Sequence, residues 1–366
     1  MKAFFLSMAL LAAGSAAATS AMADDRNSSD YDRPLTVAVF GDWPYNQNLL
    51  DNAPLLIKSV NSDRDVSLVI HVGDIHSGSM ACTSAATLPP ISTSNPGWNQ
   101  GVYYQFQQFK DPVVYTPGDN EWTDCHKSKE KSSGYPLKEL VSVRSLFFAR
   151  PGHTLGMNEK LVSTQARNFD PAYPGDAQFV ENVMWEDSRI VFVALNIPGS
   201  NNDTVPWTGM FADAGAQMQE VSERNGANMR WLQAAFSKAK DDHAKAVVIA
   251  VQADMWDPEA LASNELYNYT PFVQKLADLS VQFGRPVLLL NGDSHVYGTD
   301  QPLADPSSAT GMIHGTQAVP NLTRITVQGS TNAPAEWLKL TIDPRKHEIF
   351  SWENIPYCID PLSSCQ

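Results

Sequence analysis

Four times this chain sets Gly-Asp at or just past the end of a short apolar run: Gly41-Asp42, Gly73-Asp74, Gly118-Asp119 and Gly292-Asp293. The runs before them, 35–40, 67–72, 113–116 and 287–291, are short, apolar and bounded by Gly, Pro or Asp, so they read as buried strands. Runs 190–196 and 246–251 have the same character and lead into Gly199-Ser200-Asn201-Asn202 and Gln252-Ala253-Asp254. In open α/β sheets the carboxyl ends of the strands face a common crevice, so polar residues far apart in sequence converge there. Glycine ahead of each aspartate lets the backbone turn sharply and the carboxylates approach one another. A single Asp at a strand end is most often a turn or cap residue. Four together point to a shared site, and gathered carboxylates need a positive partner, most economically a divalent metal.

Helical patterns at 47–60, 136–148, 221–240 and 271–283 lie between the runs, which specifies an α/β class. Residues 322–352 change character: 322–327, 337–342 and 347–352 alternate and are joined by short turns, as in an antiparallel meander. Segments near 82–101 and 151–187, rich in Pro, Gly, Ser and Asn, are expected to be irregular loop insertions. With the motifs spread over the whole length, residues 34–366 are expected to form a single domain.

Residues 1–23 carry Lys2, an apolar core at 4–13 and the small-residue site Ala21-Met22-Ala23, which reads as a secretory signal peptide cleaved after Ala23. The polar stretch 24–33 reads as a disordered lead-in. The apolar core at 4–13 is too short to span a bilayer and no later run reaches about 18 apolar residues, so the mature chain is expected to be exported without a membrane segment, most simply to a bacterial periplasm. Without Lys2 it holds 25 basic and 40 acidic residues, a net charge of −15. The one dense basic run, 127–131, is interrupted by Ser128 and Glu130, which argues against nucleic acid as a partner. Four cysteines in an exported chain read as two disulfides. Of three pairings, Cys82–Cys125 with Cys358–Cys365 is favoured, because the second closes a small C-terminal loop and the first ties two loops near the motifs. Oligomeric state leaves no mark in the sequence.

Gly-Asp after the first and second strands, Gly118-Asp119-Asn120-Glu121 after the third, a polar strand end, and Gly292-Asp293-Ser294-His295 after a later strand together resemble the calcineurin-like metallophosphoesterases. The order matches over about 36–297, and Asn228-Met229-Arg230-Trp231-Leu232 is similar to the family's Trp-Leu helix. The resemblance implies a two-sheet β-sandwich flanked by helices, a four-layer αββα fold, around a dinuclear metal centre. Carried over residue by residue, it assigns Asp42, Asp74, Asp119, Gln252, Asp293 and His295 to the metals, with Asp254 competing for the place of Gln252. It also exposes departures. Pro44 stands where a histidine ligand is usual, Asp119 replaces an asparagine, Gln252 and Asp293 replace histidines, and Asn120 replaces the histidine that assists the leaving group.

Asp74, Asp119, Gln252 and Asp293 would form an all-oxygen set that suits Mn, Mg or Ca better than Zn, and so the stronger site. Asp42, Asp74 and His295 would form a weak or vacant one. The Asn120 amide orients an oxygen but delivers no proton, which leaves His76 and His126 as candidate catalytic groups. These residues favour an exported, metal-dependent phosphoesterase acting on small phosphate mono- or diesters. The rival from another class is a non-catalytic metal- or ligand-binding protein on the same scaffold. A calcium-stabilised structural module is a third reading.

Overall fold

The computed structural model describes residues 32–82 and 97–365. The signal-peptide reading of 1–23, most of the expected lead-in and residues 83–96 of the first expected insertion lie outside the described residues.

Twelve strands form two sheets among the described residues: β1 (Leu35–Phe40), β2 (Val66–His71), β3 (Val113–Tyr115), β4 (Ser163–Thr164), β5 (Val183–Asp187), β6 (Ile190–Ala194), β7 (Ala246–Ala250), β8 (Val287–Asn291), β9 (Gly298–Asp300), β10 (Leu322–Thr326), β11 (Ala335–Ile342) and β12 (Phe350–Cys358). One sheet runs β12-β11-β1-β2-β3 and the other β4-β5-β6-β7-β8-β10-β9. β1, β2 and β3 are parallel, as are β6, β7, β8 and β10.

Period-2 alternation builds the layers. On β6, Ile190, Phe192 and Ala194 face the other sheet, where they meet Val37, Val39 and Ile70. Val191 and Val193 face outward onto the helices Ala214–Asp241 and Thr270–Phe283. On β1, Ala38 and Phe40 likewise pack outward with Leu49 and Val60, residues of helices Gln47–Asp51 and Ala53–Ser62. Helices therefore cover both outer faces, giving the four-layer αββα arrangement. Each fully buried Leu, Val or Phe contributes roughly 1.5–3 kcal/mol, so strands apolar on both faces are held from both sides.

Several boundaries differ from the sequence reading. The expected helix 47–60 is two helices broken at Asn52, because Pro54, in the first turn of the second, has no N–H to donate back to the Leu50 carbonyl. The segment 151–187 is not irregular throughout, since β5 pairs antiparallel with β6 at its end, and helix Trp98–Phe106 starts inside 82–101. The expected meander is divided between the sheets. β10 joins the second, parallel to β8, whereas β11 and β12 join the first beside β1. His347 lies in the turn before β12. Two disulfides, Cys82–Cys125 and Cys358–Cys365, are present.

Candidate metal centre

Asp42, Asp74, Asp119, Gln252 and Asp293 lie just past the carboxyl ends of β1, β2, β3, β7 and β8, and parallel pairing within each sheet brings these ends to one edge. Asp42, Asp74, Asp293 and His295 all adopt left-handed backbone, with φ of 49, 59, 76 and 63°. For residues with a Cβ this is strained, and such strain clusters at functional sites. The preceding glycines are sterically required at two places. A Cβ on Gly118 would fall 1.9 Å from Asp74 Oδ1, and one on Gly292 would fall 2.5 Å from Asp42 Oδ2.

Two hubs organise the cluster. The buried Tyr45 hydroxyl donates toward Asp74 Oδ2 at 2.8 Å and Asp42 Oδ1 at 3.1 Å, and lies 3.1 Å from His295 Nε2. Around it, one ligand atom each of Asp42, Asp74 and His295 lie within 4.8 Å of one another, a spacing that fits a single ion. The second hub is the Gln252 amide nitrogen, 3.3 Å from Asp74 Oδ2, 3.0 Å from Asp119 Oδ1 and 3.1 Å from Asp293 Oδ1. Its amide oxygen is taken by the Gly199 N–H at 2.5 Å, which fixes which end of the amide faces the acids. A donor nitrogen cannot ligate a cation. The residues expected to make the stronger site are thus held around an amide, and the set expected to be weak is the one gathered.

Electrostatics follow the same division. Burial raises Asp74 and Asp293 well above the usual carboxylate range, and neighbouring carboxylates push both further. Asp119 is raised by burial and by Asp124. His295 is raised although burial opposes its charged form, because the Asp42 carboxylate beside it outweighs that penalty. A cation would take over the role that protons play in this crowding.

Asn120 donates to Asp74 Oδ2 at 2.9 Å and to the His76 carbonyl at 3.0 Å, so it belongs to the cluster. The imidazoles of His76 and His126 are not brought to it. His76 is buried, contacts the Ser77 carbonyl through Nδ1, and is lowered to about 4 by burial. His126 Nδ1 pairs with Thr208. Asp254 is turned to Arg324, and only its backbone N–H reaches Asp293, at 3.0 Å.

Tyr45, Arg224 and Lys127 were not singled out as site residues from sequence, and Ser200 and Glu121 stood in named strand-end clusters without an assigned role. The one signal for Tyr45 that the sequence offers is its place three residues past Asp42. Ser200 lies in a left-handed turn, Ser200 to Asp203, with φ of 52 to 61°. Its hydroxyl is 2.9 Å from Asp119 Oδ2 and 2.6 Å from Asp124 Oδ1, and it accepts from Lys127 Nζ at 2.7 Å. Fully buried Arg224 braces the turn through Asn202 Oδ1 at 2.5 Å and its carbonyl at 3.2 Å, while Glu220 pairs the guanidinium at 2.7 Å. Buried Glu121 accepts from Tyr115 at 2.8 Å and from the Ile75 N–H, and burial lifts it to about 7.

The model of one protein family, described as calcineurin-like phosphoesterase, matches residues 35–297, more than half of the chain. No curated protein matches. One solved structure, titled "GAP50 the anchor in the inner membrane complex of Plasmodium", is 10% identical, covers 89% of this chain and 90% of its own, and superposes with a TM-score of 0.42.

Proposed function

The chain belongs to the calcineurin-like phosphoesterase family, and from that membership we propose that it is an exported hydrolase of small phosphate esters, dependent on one divalent ion. The observation that carries the proposal is the convergence of Asp42, Asp74 and His295 within 4.8 Å at the carboxyl ends of the strands. These three residues would hold the ion, with the Tyr45 oxygen as a fourth donor already in contact with each of them. Oxygen donors with a single imidazole keep Mn, Mg or Ca ahead of Zn. When bound, such an ion supplies the positive charge that polarises a phosphoryl oxygen and acidifies water. The Asn120 amide nitrogen, which donates to Asp74 Oδ2 and the His76 carbonyl, would turn a hydrogen to a phosphoryl oxygen once the ion takes the Asp74 carboxylate. With His76 and His126 turned to Ser77 and Thr208 and His295 held by the ion, esters whose alcohol departs without a proton are the favoured substrates. The signal-peptide reading and the two disulfides support export. Among the described residues no helix is long and apolar enough to cross a membrane.

One observation favours a second reading, a non-catalytic binding protein: the Gln252 amide stands among three carboxylates where a second ion would be expected. Hydrolysis of an aryl phosphate monoester and diester by protein stripped with chelator, refilled separately with Mn, Mg, Ca and Zn, and compared with Asp74→Asn, separates the two. Metal-dependent turnover that disappears in Asp74→Asn supports the hydrolase. Folded protein with no turnover above that control under any metal supports the binding protein.

A further inference from the structure

Asp42 and His295 come from different sheets. Asp42 follows β1 of the first and His295 follows β8 of the second, yet Asp42 Oδ1 stands 3.3 Å from His295 Nε2. An ion shared by them would join the two sheets, so its affinity depends on how firmly the two backbones are held against each other. Their own conformations work against that. Both are left-handed, with φ of 49 and 63°, and a residue with a Cβ stays there only when its surroundings over-determine it.

One segment meets both residues. Residues 327–334 carry the chain from the end of β10 in the second sheet to the start of β11 in the first. Ser330 donates twice to the Asp42 carbonyl, from its backbone N–H at 3.2 Å and from its hydroxyl at 2.5 Å. The His295 carbonyl also accepts twice, from the Gly329 N–H at 3.0 Å and from the Asn332 amide nitrogen. The other side of Asp42 is fixed as well, since its N–H donates to the Gly73 carbonyl at 2.9 Å.

The crossover is itself shaped for this contact. A Cβ on Gly329 would fall 2.7 Å from the Cβ of His295 and 2.9 Å from its Cα, so the approach needs a glycine. The Asn332 N–H donates to the Gly329 carbonyl at 3.1 Å and the Gln328 amide donates to the Pro334 carbonyl at 2.6 Å, which closes the segment on itself. Ser330 is buried, where its hydroxyl is shielded from competing water.

Resting on the one-ion reading, we propose that Ser330 and Asn332 are positioning residues of the ion site: through the β10–β11 crossover they hold Asp42 and His295, one ligand from each sheet, within reach of a single ion. Each acts through a backbone carbonyl, so removing either side chain loosens a ligand without deleting it. Thr331 lies between them in sequence and donates to neither carbonyl.

The test is calorimetric titration of the chelator-stripped mature protein with Mn, as wild type, Ser330→Ala, Asn332→Ala and Thr331→Ala, at a temperature where circular dichroism shows each variant folded. It needs no turnover. Ser330→Ala and Asn332→Ala are each expected to bind Mn about tenfold more weakly, the scale of one hydrogen bond, while Thr331→Ala binds as wild type does. The rise in melting temperature that Mn brings should shrink in the same two variants. A role confined to folding would instead lower the melting temperature in chelator and leave the Mn affinity of folded protein unchanged. Wild-type affinity in both folded variants, or an equal loss in Thr331→Ala, overturns the positioning role and leaves the ion site standing. A wild type that binds no Mn overturns the one-ion reading and the positioning role together.

Discussion

The amide nitrogen of Gln252 stands 3.0 Å from Oδ1 of Asp119, and the backbone N–H of Gly199 fixes that orientation by holding the amide oxygen. A neutral donor therefore occupies the centre of three carboxylates. In Gln252→His an imidazole nitrogen with a lone pair replaces it, and bound Mn is expected to rise from one toward two ions per chain, read by elemental analysis after desalting. A ratio that stays at one would show that something other than this amide keeps the second ion out.

Tyr45 is the corresponding hub on the other side, with its hydroxyl in contact with Asp42, Asp74 and His295. Tyr45→Phe keeps the ring and removes only that oxygen. In chelator, denaturant unfolding should show a loss of about 1–3 kcal/mol, since buried acceptors lose their donor. Calorimetry should show weaker Mn binding. Unchanged Mn affinity would remove Tyr45 from the ligand set.

Arg224 is a buried cation whose partners are Glu220 and Asn202. Arg224→Met leaves Glu220 without its guanidinium and the left-handed turn without its brace. Breaking a buried pair in this way destabilises by about 3–5 kcal/mol. Faster amide exchange at 200–203 than in other loops is the local signature to measure; uniform exchange would deny the bracing role.

His71 is fully buried, with Nε2 2.9 Å from the Trp43 carbonyl and Nδ1 accepting from the Gly73 N–H, an arrangement only the neutral imidazole satisfies. Burial lowers it to about 4 from an ordinary 6.5. Between those values the unfolded chain binds the proton that the folded chain refuses. Stability is therefore complete above pH 6.5 and falls as pH drops toward 4, by up to about 3 kcal/mol from this group. The difference in unfolding free energy between wild type and His71→Gln, measured by denaturant from pH 7.5 to 4.5, should follow that slope, and a difference that does not change with pH would deny it.

Because neither His76 nor His126 reaches the carboxylates, hydrolysis should fall steeply from aryl to alkyl phosphate esters, whose poorer leaving groups need a proton. Equal rates on the two classes would mean that a proton donor is present after all, with Glu121 the first residue to substitute.

The strands β1 and β8, the Gly-Asp turns behind them and the family were legible because they depend on neighbours in sequence: apolar runs must be buried, and a Gly-Asp pair at the end of such a run marks a sharp turn; that a Cβ on Gly118 would strike Asp74, and one on Gly292 would strike Asp42, only the structure shows. Which strand joins which sheet was not, since β10, β11 and β12 share one alternating pattern and differ only in the neighbour each one meets. The division of labour in the site was hidden for the same reason. Residue type made Gln252 an oxygen ligand, yet its oxygen is drawn to Gly199, whose N–H reaches it across 53 positions. No role for Tyr45 was legible in the sequence, and it joins the site only because β1, β2 and β8 set His295 and Asp74 around its hydroxyl. Local chemistry fixed which groups the chain carries to the crevice; only the packing of two sheets decided which of them touch, because hydrogen bonds and charge act over a few ångströms of space and are indifferent to separation along the chain.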